Sequence, residues 1–314
     1  MTALLRASRY YGPLLFTLLY IAFEFSFNYQ LLDITGPMVT EDTLQGLEFW
    51  GRVLSGIGFG FTMHRWVQRY FENTTLSLII CFALGITSMW HLQKEVTDHL
   101  VAQASLEDKK VALVLGQLTQ KAAQGELSTL QARPLFTDDI GQEDRKIVES
   151  LFPAMALFVP NRIAQLAAWQ GVPEIQMTAY LASDIPAQHL DNAYRNLIVP
   201  PLTLGISLFF ALLNLAQLIS SIISPWIWGV QASYKRFAVS MALFGLLLTY
   251  SFAGHNPFVH SQAYQQDFRK TLWQEDRTLA VLTEWSSYGV PSWYPLAHWC
   301  NQYVLRDVKL RRPY

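Results

Sequence analysis

Cysteine is scarce: Cys81 and Cys300 are the only two in 314 residues. Two are too few for a disulfide framework or a cysteine-rich zinc site. One falls in an apolar run and the other in a polar tail, so they read as unrelated thiols. Charge is scarce as well, at 15% of residues against 51% hydrophobic, and the net charge of −1 excludes the overall basic field of a nucleic-acid binder. The usual catalytic signatures are missing too: the sequence has no Walker motif, no nucleophile elbow and no His-Glu-x-x-His. Gly56-x-Gly58 has no strand before it and cannot be a dinucleotide fingerprint. Asp138, Asp139, Glu143 and Asp144 lack the alternate spacing of a calcium loop and read as a solvated acidic stretch. No internal or inverted repeat and no low-complexity tract is found, and no cofactor is implied.

What the chain does have is long apolar runs alternating with polar regions, which is why mean hydropathy is only +0.18. Five runs approach the ~20 residues that cross ~30 Å of hydrocarbon. They are residues 11–32, 46–66, 76–92, 197–223 and 237–253. The predicted class is an all-α polytopic integral membrane protein with about five crossings. A helical extracytoplasmic domain lies between crossings three and four, and a polar tail closes the chain. The corresponding regions are 1–92, 93–196, 197–253 and 254–314. Arg6 and Arg9 precede the first run without a small-x-small cleavage site, so that run is expected to be an uncleaved helix.

Basic residues in the short connections set the expected orientation. Arg6 and Arg9, Arg65 and Arg69, and Lys235 and Arg236 all fall on one side, while 33–45 carries only acids. A cytoplasmic N-terminus follows, with the long region and the tail periplasmic in a bacterial inner membrane. The distant cluster Arg306, Lys309, Arg311 and Arg312 dissents but weighs little.

Within the polar regions, apolar residues from Val96 to Leu118 recur at helical spacing, predicting a stalk that prolongs the third crossing to about Gly125. FPAMALFVP at 152–160 is too short to span. Gly171–Pro173 and Asp184–Pro186 predict breaks, and Pro200–Pro201 predicts the start of the fourth crossing. In the tail, 261–285 reads as a helix followed by an aromatic loop holding Trp293, Tyr294 and Trp299.

Four sets of residues stand out as candidates. Glu24 is an ionisable group inside a span, with Asn28 one turn on, and Arg52 of the second span is within plausible reach of both. The expected reading is an intramembrane cluster locking two helices. The alternatives are a proton or ion path, or Arg52 pairing with Glu48 in its own helix. Gly51, Ser55, Gly56 and Gly60 form a small-residue face suited to close helix contact. Asn214 and Gln217 share a face for interhelical hydrogen bonds. His91, His99, His255, His260 and His298 do not have the spacing of a helical metal motif.

The expected function is a non-enzymatic membrane subunit or scaffold of an envelope assembly, in contact with lipid and with membrane or envelope proteins. Partners are expected on the extracytoplasmic helical region and the intramembrane glycine face, and a homo-oligomer stays open. The alternatives are a transporter or ion-path subunit built on Glu24, Asn28 and Arg52, and an enzyme at the outer interface using histidines.

Overall fold

The structure is a computed structural model, described here for residues 2–34, 41–67, 74–123, 162–228, 233–253, 269–275 and 277–304. These residues are helical with short breaks and include no strand. The elements are α1 (Thr2–Ile34), α2 (Glu41–Val67), α3 (Thr74–Gln103), α4 (Leu106–Ala123), α5 (Arg162–Gln170), α6 (Glu174–Ala182), α7 (Ala187–Trp228), α8 (Ser233–Ala253), α9 (Arg269–Glu275) and α10 (Arg277–Trp299). A π turn, Cys300–Val304, follows α10.

Among the described residues, α1, α3 and α7 are long and apolar enough to cross a membrane. The chain is accordingly a membrane protein. α2 and α8 fall short of that measure, for different reasons. Glu41, Asp42, Glu48 and Arg52 dilute α2, while the apolar part of α8, Arg236–Phe252, is shorter.

α7 is the axis of the molecule: α1, α2, α4, α8 and α10 all pack against it. It is buried from Leu197 to Leu208 with one interruption, at Ile206. Ile198 and Leu204 in this stretch are fully covered. Pro200 and Pro201, expected to begin the crossing, lie inside this helix. Each proline removes one backbone hydrogen bond, but both are buried among neighbouring helices, which hold the segment helical.

Two further expectations are corrected. The stalk is two helices rather than one. α3 ends at Gln103, and Ser105 starts α4 by accepting the Asp108 amide at 3.0 Å. That cap satisfies a helix-start donor, and α4 folds against α7. The aromatic loop of the tail is the second half of α10, which continues through Pro291 and Pro295. Its indoles are pinned to the bundle: Trp285 Nε1 donates to the Gly205 carbonyl at 2.8 Å and Trp293 Nε1 to Ser251 Oγ at 2.7 Å. Such anchoring offsets the helix-breaking cost of the prolines.

The expected breaks near residues 171 and 184 are present, the first with Gly171 at φ +66°, a conformation glycine adopts freely. The segment 152–160, the acidic stretch 138–144 and the histidines at 255 and 260 lie outside the described residues.

Candidate functional site

The candidate site is a polar seam where α1, α2 and α7 meet, and its register follows from small residues. A Cβ on Gly51 would strike Thr203, one on Gly58 would meet Phe210 Cβ at 3.1 Å, and Arg65 bonds Gln217. Each pair is seven residues beyond the last on both helices. α2 and α7 are therefore parallel and keep a heptad register, the period of left-handed helix packing. In this register Ser55 stands opposite Ser207.

α1 runs antiparallel beside them and brings Glu24 to that same level. Ser207 Oγ donates to Glu24 Oε1 at 2.6 Å, while Asn28 Nδ2 donates to Ser207 Oγ and to the Glu24 carbonyl, each at 3.0 Å. Glu24, Ser55 and Ser207 are fully buried and Asn28 is 5% exposed. Tyr20, one turn before Glu24, holds its hydroxyl between the Glu24 carboxyl and the Leu54 carbonyl, 3.3 Å from the latter, with one proton to serve both. The uncommitted atoms are Glu24 Oε2, Asn28 Oδ1 and Ser55 Oγ, none with a hydrogen-bond partner.

The seam continues along α7. Asn214 Nδ2 donates to the Gly58 carbonyl at 3.0 Å, where Thr62 Oγ1 also donates at 3.2 Å. Near the C-terminal end of α2, Arg65 donates to Gln217 Oε1 and Thr17 Oγ1, both at 2.9 Å, tying three helices together. From Ser207 to Gln217 the helix rises about 15 Å.

Glu24 and Asn28 are thus brought together as expected, but Arg52 is not brought to them. Its guanidinium bonds Glu48 at 3.1 Å and lies 5.1 Å from the centre of the Trp90 ring. An acid one turn away on the same helix needs no reach across the bundle, and the indole face of α3 supplies a cation–π contact. Among the described residues, no salt bridge reaches Glu24.

The four small residues expected to form one face serve two. Gly51 and Ser55 face α7, whereas Gly56 and Gly60 face α3: a Cβ on Gly56 would come 2.9 Å from the Ile86 nitrogen, and one on Gly60 2.9 Å from the Cys81 carbonyl. From the other side, a Cβ on Gly85 of α3 would lie 2.8 Å from the Gly60 nitrogen. α2 is a slat with a bare edge on each side. Asn214 and Gln217 do bond across helices, the first to α2 backbone and the second to an α2 side chain.

His91 and His99 are exposed on α3. His298 stacks on Tyr29 at 5.2 Å with 12° between rings. Among the described residues no three His, Cys, Asp or Glu side chains are grouped to hold a metal ion.

Sequence reading missed Ser207, Tyr20, Thr17, Arg65 and Ser55's place in the seam. Ser207 was legible in principle, lying seven residues before Asn214 in the same register, but serines in apolar helices commonly bond their own backbone. The chain matches no protein-family model, no curated protein and no solved structure, and its function is argued from its own residues.

Proposed function

We propose that the chain is a non-enzymatic integral membrane subunit that carries a rigid partner-binding module on the extracytoplasmic face of a bacterial inner membrane. Five crossings, α1, α2, α3, α7 and α8, form the membrane body, with the N-terminus cytoplasmic. The observation that carries this reading is the length of α7. Its 42 residues extend about 63 Å, twice the ~30 Å of hydrocarbon, so part of the helix continues beyond the bilayer.

The projecting end of α7 is polar and braced. Lys109 pairs with Asp191 at 2.7 Å, Arg195 pairs with Asp98 at the end of α3, and Lys110 Nζ donates to the Ser183 carbonyl at 2.9 Å. α4, α5 and α6 pack together around Leu115, Leu166 and Met177. α7 thus enters the module without a break and α3 is tied to it by the Arg195–Asp98 pair, so a partner seated on it is held at a fixed height and angle. Leu106 and Ile175, 62% and 83% exposed, supply apolar contact on its surface.

The test is purification of the full-length tagged protein in mild detergent with mass spectrometry of co-eluting proteins. A stoichiometric companion retained by wild type and lost in Ile175→Asp or Leu106→Asp, with the variants still monodisperse, supports the reading. A homogeneous preparation without a companion, from membranes solubilised in several mild detergents, overturns it.

A further inference from the structure

We infer that the Glu24 level of the seam is a binding site for a small monovalent cation, Na⁺ in the first instance. The inference stands independently of the subunit reading and rests on a hydrogen-bond count. Both N–H groups of Asn28 are spent, on Ser207 Oγ and on the Glu24 carbonyl. The Ser207 proton is spent on Glu24 Oε1, and the single Tyr20 proton is divided between the Leu54 carbonyl and the Glu24 carboxyl. Thus every donor from these α1 and α7 side chains is committed. What remains is Glu24 Oε2 and Asn28 Oδ1, which as a carboxylate and an amide oxygen only accept, and on α2 Ser55 Oγ, also without a partner and opposite Ser207 in the helix register. The Ser55 hydroxyl can give its one proton to one of these acceptors. That leaves the other acceptor and the charge of a buried carboxylate with no cationic side chain among the described residues bonded to it, and that charge calls for a positive ligand.

The chemistry of the ligand follows from the atoms. One carboxylate is balanced by one positive charge, so the ion is monovalent. The donors are all hard oxygens, which excludes soft-metal preference. Glu24 Oε2, Asn28 Oδ1, Ser55 Oγ and the Tyr20 hydroxyl come from two helices in tight contact with a third. That is fewer oxygens than the cage of carbonyls that replaces a K⁺ hydration shell, and it favours the smaller ion. Arg52 is held away by Glu48 and Trp90, which leaves Glu24 free to serve the ion.

Thermal unfolding of the purified full-length protein, titrated with NaCl, KCl or choline chloride at constant ionic strength and alkaline pH, tests the site. The expected result is a saturable rise in Tm of about 3–6 °C by about 300 mM Na⁺, smaller with K⁺ and absent with choline. Ser55→Ala, which removes one ligand oxygen and little volume, should raise the half-saturating Na⁺ concentration at least about 5-fold, and Glu24→Gln should abolish the response. Equal Tm in all three salts overturns the inference. So does a Tm set by pH with no Na⁺ dependence, since a proton on Glu24 would then be the counter-charge. An unaltered Na⁺ response in Ser55→Ala also overturns the proposed ligand set. The wild-type comparison of salts decides the matter even if Glu24→Gln does not fold.

Discussion

Replacing Gly56 by alanine should destabilise the protein, whereas the same replacement at Gly245 should not. Alanine is the better helix former by about 0.5–1 kcal/mol, so propensity alone predicts stabilisation at both positions. At Gly245 a Cβ meets nothing within 4 Å, and propensity decides. At Gly56 the new methyl would lie 2.9 Å from the Ile86 nitrogen and 3.0 Å from its Cγ1. The obstacle includes backbone, which cannot rotate aside as a side-chain end can, so α2 and α3 must separate. Overpacking of this kind costs typically about 1–3 kcal/mol. Subtracting the propensity gain leaves a net loss of about 0–2.5 kcal/mol. Separation is also felt at Gly60 and Gly85, where backbones approach as closely, so the upper half of that range is expected. Reversible unfolding in mixed micelles with increasing SDS, followed by circular dichroism, reads the difference. Equal stability of Gly56→Ala and Gly245→Ala would refute the backbone-to-backbone packing of α2 on α3.

Three other outcomes follow from particular contacts. Asn214→Ala should cost only about 0.5–1 kcal/mol in the same SDS titration, because Thr62 keeps the Gly58 carbonyl partnered; a loss several times larger would show that Asn214 does more than join α7 to α2. Arg195→Gln should change stability by less than about 1 kcal/mol, since Arg195 and Asp98 are 33% and 41% exposed and solvent screens the pair; thermal unfolding checks this. Burial pushes the Cys300 thiol up to about 11 from 9.0. Its thiolate fraction near pH 8 is then about 100-fold lower than in the unfolded chain. Maleimide labelling of a Cys81→Ala variant should accordingly be at least about 100-fold slower when native than in denaturant, and equal rates would place Cys300 at the surface.

Much of the architecture was legible from composition and period. Runs of apolar residues long enough for a bilayer, with polar stretches between them, fix an all-helical membrane class, because only helices satisfy their own backbone over such lengths in lipid. The Glu24–Asn28 pair and the interhelical role of Asn214 and Gln217 were also legible, since spacing along one helix sets which side chains share a face. Partner choice was not. Arg52 had two acids within plausible reach, and only the packing of Trp90 from α3 against it, together with Glu48 one turn away, settled which one it meets. The small residues of α2 were visible, but not that they divide between α3 and α7, because a bare surface carries no address. Prolines misled twice, at 200–201 and at 291–295, where local preference for a break is overridden by burial and by indole hydrogen bonds from distant residues. The sequence by itself determined the medium, the element type and the polar residues available. The tertiary structure decided which of them meet, because registry between helices is set by side-chain fit across the interface, and each helix encodes only its own half.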